Sequence, residues 1–598
     1  MCGLAAIFAY GDKAPGISGD MLSSINDAMA RRGPDGQGQW LADDRQIGLA
    51  HRRLAIIDLS DKAAQPMLQD HPGGRLAITF NGEIYNFLDL KERLQSENYA
   101  FVTNSDTEVL LHLYRRYGPD MVHHLRGMYA FAIWDENRQG LFLARDPFGI
   151  KPLYYRDDGK SIAVASQVKA LLAGLRAGQM PRPQFNAAGH VGFFLFGHVP
   201  DPHTLYKGIS ALPAGTTLWI DKKGPHPEQQ FFSVSEQLQD GASAPSPEDL
   251  SDLLRDSLRH HFVADVAVGV FLSSGLDSAS LTALASEIKG ANLDTLTLGF
   301  DEFAGGPHDE VPLAEDIAHH YGTRHHTVRV AGRDFNRHLD DLLITMDQPS
   351  IDGVNTYFVA KAAKQVGLKV ALSGLGGDEL FCGYDVFRQV PRLVGAFGRI
   401  PGGAALGRHL RSLLSPLGAL GMPPKAAGLL EYGCRYGDAY LLRRALMMPW
   451  ELEKQLAGVM APEMIRQGLE DLNISEALDQ CQRHISAPKR KLAALEMSWY
   501  MRSQLLRDAD WAGMAHGVEI RVPLVDPVLF AGLSANLGTD IGATKQHMAA
   551  AARRPLPSAV LERPKSGFFV PVRDWLQGGS GGRGLRGWAR RVYQAQIA

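Results

Sequence analysis

The sequence predicts an α+β domain followed by an α/β domain with a doubly wound parallel sheet and a helical carboxy-terminal part. Its 598 residues exceed what one hydrophobic core sustains, so two large units are expected. Short β-branched and aromatic runs dominate the first part, and strand–loop–helix repeats dominate the second.

In chain order, Leu76–Phe80, Tyr129–Trp134 and Leu141–Ala144 are strand-like runs separated by Gly, Asn and Asp turns, and Thr107–Arg116 has helical spacing. Residues 1–215 are assigned to this first domain. Lys222 to Pro247 is rich in turn formers, so residues 216–246 are assigned to a linker. From residue 247 to 598 the pattern changes. Val266–Leu272, Thr295–Phe300 and Lys369–Leu372 read as parallel strands, each leading into a loop, with a helix at Val311–Tyr321. Ligands of such sheets lie at the carboxyl ends of the strands. Beyond Tyr384 the chain reads as mainly helical, and the Gly-rich run after Gly578 reads as flexible.

A composition of 45% hydrophobic and 21% charged residues with a net charge of −3 is that of a globular enzyme. It gives no electrostatic case for nucleic acid or an anionic membrane. Four scattered cysteines (Cys2, Cys382, Cys434, Cys481) make neither a disulfide framework nor a zinc site. No signal peptide or membrane-length apolar run is visible, so a cytoplasmic location is expected.

Two constellations carry chemistry. At the start, Met1-Cys2-Gly3 would leave a thiol and an α-amine on one residue if Met1 is removed, and that amine is a built-in base. It is followed by Arg32-Gly33-Pro34-Asp35-Gly36, by Ala50 to Asp58, by Asn81-Gly82-Glu83-Ile84-Tyr85-Asn86 and by the capped helix start Ser105-Asp106-Thr107-Glu108. In the second domain, Val270 to Ser278 runs from a strand through Ser273-Ser274-Gly275 into a helix, where backbone N–H groups suit phosphate oxygens. There is no Gly-Lys-Ser/Thr, so it is not a Walker loop. Leu372-Ser373-Gly374-Leu375-Gly376-Gly377-Asp378-Glu379 supplies a second small-residue turn with acidic groups suited to Mg²⁺.

The first set resembles the class II glutamine amidotransferase domain, an N-terminal-nucleophile hydrolase sandwich. The second resembles the ATP-pyrophosphatase loops of adenine nucleotide α-hydrolase-like synthetase domains, with Ser274 in place of a usual glycine. With Met514 to Asp526 and Glu562 to Phe568, nearly the whole chain is similar to the glutamine-hydrolysing asparagine synthetases. That resemblance implies Cys2 as nucleophile and Asn81 with the Gly82 N–H as oxyanion hole. It implies that Arg53 holds the glutamine carboxylate and that Glu83 and Asp106 receive its ammonium. It places ATP on Leu272, Ser273, Ser274, Gly275, Leu276, Asp277, Ser278, Leu298, Ser373 and Gly374, with Mg²⁺ on Asp277 and Asp378. Lys565 would stabilise charge developing on the phosphates. An ammonia channel and a homodimer are also implied, with ATP, glutamine and a carboxylate as small-molecule partners.

Two departures from the pattern stand out. Gln167 replaces a usual glutamate, and Leu375 stands where relatives carry a polar residue or a glutamate. Asp347 and Asp352 are read either as partners for an acceptor's ammonium or as helix caps. Three readings follow: asparagine synthesis from aspartate, the same chemistry on another carboxylate such as a uronic acid or a peptide side chain, and a non-catalytic nucleotide-binding homologue. Intact Cys2, Arg53, Asp277, Asp378 and Lys565 argue against the third.

Overall fold

The computed structural model describes residues 2–12, 14–239, 250–414, 424–539, 542–563, 571, 575 and 585–597. Its first domain stacks two antiparallel sheets. One has the order Ile209–Ala211, Tyr154–Asp157, Ser161–Ala165, Gly3–Ala9, Ile47–Arg53, Gly36–Leu41. The other runs Gly224–Pro225, Thr216–Asp221, Gly140–Arg145, Gly127–Asp135, Leu76–Ile84, Met67–Gln69.

Strand periodicity explains the stacking. Along Gly3–Ala9, Leu4, Ala6 and Phe8 point between the sheets to meet Ala130, Ala132 and Trp134. Ala5, Ile7 and Ala9 point the other way, into the core shared with Leu22 and Ile25 of the helix Gly19–Ala28. Both faces are therefore buried, and the strands read as continuous apolar runs rather than as alternation. Phe8 and Trp134 close the inter-sheet layer edge to face, with centroids 5.0 Å apart.

The stretch assigned to the start of the linker belongs instead to this sandwich. Thr216–Asp221 pairs antiparallel with Gly140–Arg145, and Gln229–Gln230 pairs with it in turn. The physical reason lies in Leu218 and Ile220, which are buried in the inter-sheet layer while Trp219 lies outward. Gly224 and Pro225, turn formers by type, made a hairpin look like a boundary, yet they pair with Ile220 and Asp221.

The second domain has five parallel strands in the order Arg324–Val330, Asp294–Phe300, Val268–Phe271, Val370–Leu372, Glu519–Arg521. The first strand in sequence is central, and successive strands are added to either side of it. That places the topological switch point at the carboxyl ends of Val268–Phe271 and Val370–Leu372, from which both small-residue loops emerge. Helices complete the domain from residue 377 onward. Among the described residues no helix is long and apolar enough to cross a membrane.

Ion pairs join the domains. Arg32 is paired with Asp510, Arg126 with the buried Asp526 and the partly exposed Asp256, and Arg507 with Asp201, which Arg145 also holds from within the first domain.

Candidate active sites

Cys2 precedes the central strand of the first sheet, and the pairing of Gly3 with Arg52 sets it beside Arg53. Its backbone N donates to Asn81 Oδ1 at 2.8 Å, and its Sγ lies 4.0 Å from Leu54 O. Burial pushes the thiol pKa up. Asn81 is fully buried, and its Nδ2 has no hydrogen-bond partner among the described residues. A donor left in that state costs about 1–3 kcal/mol and is suited to an oxygen that arrives with substrate. Gly82 follows at φ 156°, where a Cβ would meet Met128 O at 2.1 Å. Only glycine fits, which frees its backbone to approach the reacting carbonyl. Gly82→Ala is therefore expected to abolish glutamine hydrolysis and to lower the melting temperature, as thermal melts beside a glutaminase assay would register.

Arg53 closes the strand Ile47–Arg53 and donates Nη1 to Ser60 O at 2.9 Å and Nη2 to Asp58 O. The two acidic candidates differ. Glu83 Oε2 lies 3.4 Å from Arg521, a buried guanidinium of the last parallel strand that Glu519 also contacts at 2.6 Å. Its carboxylate is thus shared with the other domain. Asp106 begins the helix Asp106–Tyr117 and accepts from Ile84 N at 3.0 Å, and burial raises its pKa to about 6. Its pKa in the folded state is above the unfolded value, so between about pH 4 and 6 stability falls as pH rises. Binding of an ammonium needs the ionised form. The KM for glutamine is expected to rise as pH drops through about 6, and Asp106→Asn should remove that dependence while raising KM at neutral pH.

At the switch point of the parallel sheet lies a cavity of about 660 Å³. The structure places Leu272, Ser273, Ser274, Gly275, Leu276, Asp277, Ser278, Leu298, Ser373, Gly374 and Asp378 together on its wall. The loop is self-braced: Ser273 N donates to Ser278 Oγ and Gly275 N to Ser273 Oγ, both at 3.1 Å. The helix Leu276–Lys289 starts from Gly275 without a side-chain cap, so its first N–H groups are available to an anion. A Cβ on Gly374 would come within 3.2 Å of Asp277 Cβ, and one on Gly377 within 2.7 Å of Asp277 Cγ, so small residues let the two loops touch.

Sequence reasoning missed Lys545. Its ammonium is 2.6 Å from Asp277 and 2.5 Å from Asp378, and it also lines the cavity. Burial would lower its pKa, yet the two carboxylates raise it. The only local signal was Thr544, which caps the helix Lys545–Ala550. Lys565 lies outside the described residues. Arg563, two positions earlier, is on the cavity wall, 3.7 Å from Glu310.

The Asp277–Asp378 pair fits Mg²⁺, which takes one or two carboxylates and completes its shell with water and phosphate oxygens. Among the described residues no group of three or more His, Cys, Asp or Glu side chains gathers for a metal, so phosphate would have to supply the remainder.

The two aspartates left open by the sequence separate. Asp347 accepts from Val168 N and Lys169 N at 2.9 and 3.0 Å, capping the helix Val168–Ala177 of the other domain. That helix begins after Gln167, whose side chain makes no cap, so the capping carboxylate comes from Asp347 across the domain boundary. Asp352 lies on the cavity wall, as do Leu375 and Asp508.

One helix links the two sites. Arg32 donates Nε to Cys2 O at 2.9 Å and both Nη atoms to Asp510 at 2.6 and 3.0 Å. Asp510 sits on the helix Arg507–Ala515 beside Asp508, whose carboxylate accepts from Trp511 and Ser350.

A glutamine amidotransferase domain model matches residues 1–232, and an asparagine synthase model matches residues 249–596. A glutamine-hydrolysing asparagine synthetase 1 of Bacillus subtilis is 32% identical over 99% of this chain and 90% of its own length. Asparagine synthetase 3 of the same organism is 32% identical over 61% of this chain and 60% of its own. An amidase, chry2, of Gibberella zeae is 33% identical over 65% of this chain and 60% of its own. The chain belongs to the glutamine-hydrolysing asparagine synthetase family.

Proposed function

We propose that this protein is a glutamine-dependent amide synthetase that activates a carboxylate as its acyl-adenylate. The observation that carries this reading is the pairing of a buried Cys2, bound through its nitrogen to Asn81, with a switch-point cavity where Lys545 bridges Asp277 and Asp378.

At the first site the Cys2 α-amine, once Met1 is removed, takes the thiol proton, and the sulfur adds to the glutamine amide carbon. Asn81 Nδ2 and the Gly82 N–H receive the oxyanion, Arg53 binds the α-carboxylate, and Asp106 with Glu83 binds the ammonium. Ammonia leaves, and water then releases glutamate. At the second site the acceptor carboxylate attacks the α-phosphorus of ATP and the α–β bond breaks, releasing pyrophosphate. Mg²⁺ on Asp277 and Asp378 would neutralise phosphate charge when bound. Lys545 and Lys565 add positive charge at the same phosphates. Ammonia attacks the acyl carbon, AMP departs with its oxygen, and the nitrogen loses a proton.

Asparagine formation from aspartate is the reference reaction, because the relatives carry that name. A second reading, the same chemistry on a larger carboxylate, is favoured by Leu375, whose side chain offers the cavity neither charge nor hydrogen bond. Pyrophosphate release should be measured with ATP, glutamine and a panel of carboxylic acids that includes aspartate. Accumulation of ADP rather than AMP, or no release with any acid, would sink the acyl-adenylate mechanism.

A further inference from the structure

Behind Asp352 a second cavity of about 420 Å³ opens between the domains. Asp352 is common to both walls, so the nucleotide cavity and this chamber adjoin. The chamber's volume falls in the range of small-molecule sites, which pair apolar and aromatic walls with a few placed polar groups.

Its walls are aromatic. Phe196 from the first domain has its ring 5.6 Å from that of Trp499, and Tyr500 follows Trp499 in the chain. Trp499 and Tyr500 lie on Glu496–Leu506, a segment with π-helical hydrogen bonding. Such segments re-aim side chains at a cost in backbone geometry and recur at functional sites.

Its polar groups are selective. His198 is 2% exposed and contacts Gln504 Oε1 through Nδ1 at 3.0 Å. Nδ1 must carry the proton to donate to that oxygen, which leaves Nε2 as a bare lone pair, and among the described residues Nε2 has no hydrogen-bond partner. Burial holds this ring neutral, with a pKa lowered to about 3. The site therefore offers an acceptor to an arriving hydroxyl. Two cations line the chamber among the described residues. Arg444 makes a bidentate pair with Glu496 at 2.8 and 2.6 Å and lies 4.0 Å over the Tyr500 ring, so its charge is matched within the protein. Lys425 donates to Ala445 O at 2.6 Å and to Arg443 O at 3.3 Å, so its N–H groups are turned to the backbone.

We propose that this chamber holds the body of the acceptor and that the acceptor is a hexuronic acid, with its carboxylate toward the nucleotide and its pyranose ring among Phe196, Trp499 and Tyr500. The carbon-bound faces of a pyranose are apolar and suit aromatic walls, while its hydroxyl rim suits His198 Nε2. The assignment rests on the second acceptor reading above.

The test is isothermal titration of the full-length protein, loaded with Mg²⁺ and a non-cleavable α,β-methylene ATP, against glucuronate and galacturonate. Saturable binding of at least one is expected, weakened at least tenfold by His198→Ala and by Trp499→Ala. Trp499→Phe, which keeps a ring and guards against misfolding, should weaken binding less than Trp499→Ala. Absence of binding by both acids, or binding indifferent to His198→Ala and Trp499→Phe alike, overturns the assignment. So does full turnover of aspartate that neither variant alters. Hexuronate binding that responds to the variants without pyrophosphate release from ATP upholds the chamber and counts against the acyl-adenylate step alone.

Discussion

Cys2→Ala is expected to lower glutamine-dependent synthesis by at least about 10³-fold while leaving synthesis from added ammonium salts intact. The thiol is the proposed nucleophile for the glutamine amide, yet it contributes little to the fold. Its Sγ approaches Leu54 O at a long 4.0 Å, whereas the shorter hydrogen bonds of residue 2 run through the backbone to Asn81 and Arg32. Alanine preserves those. Side-by-side initial rates with glutamine and with ammonium chloride give the answer, and equal loss with both nitrogen sources would refute a division of labour between two sites.

Lys545→Ala should produce the complementary pattern. Pyrophosphate release is expected to fall by about 10²–10³-fold, with glutamine hydrolysis retained. Without the ammonium, the site loses a positive charge shared by Asp277 and Asp378, and the incoming triphosphate meets a more negative wall. Lys545→Arg should not restore activity. A Cβ placed on Gly383 would lie 2.6 Å from Lys545 Cε, so the stem is packed on that side, and a longer planar fork does not reproduce a compact ammonium held between two carboxylates. A fully active Lys545→Ala enzyme would remove this lysine from the chemistry.

Motifs made of contiguous residues were legible in the sequence, because their chemistry is local. A strand running into Ser273-Ser274-Gly275 and a helix was legible as a small-residue loop, which the second turn at Ser373-Gly374 and the family resemblance turned into a candidate phosphate site. Parallel strands were legible as short apolar runs before small-residue loops. What escaped was assembled from distant segments. Lys545 sits between Thr544 and Gln546 like any solvated lysine, and only tertiary folding carries it to Asp277 and Asp378. Asp347 caps a helix 179 residues earlier in the chain, a pairing that no local pattern encodes. Thr216–Asp221 was hidden by its neighbours, since the turn residues after it outweighed its own β-branched character. The chamber draws on Phe196, Arg444 and Trp499, which belong to three separate elements.

The Arg32–Asp510 pair makes the two halves inseparable as pieces of engineering. Asp510 is 4% exposed and Arg32 1%, so cutting the chain near residue 239 would strand a guanidinium without its counter-charge directly behind Cys2. Orphaning one member of a buried pair costs about 3–5 kcal/mol, and the loss of Asp526 from Arg126 and of Arg507 from Asp201 would add to it, although Asp201 keeps Arg145 within the fragment. A liberated amino-terminal fragment should thus precipitate or stay unfolded. Grafting this nitrogen-releasing module onto a foreign partner would require transplanting the helix Arg507–Ala515 along with it.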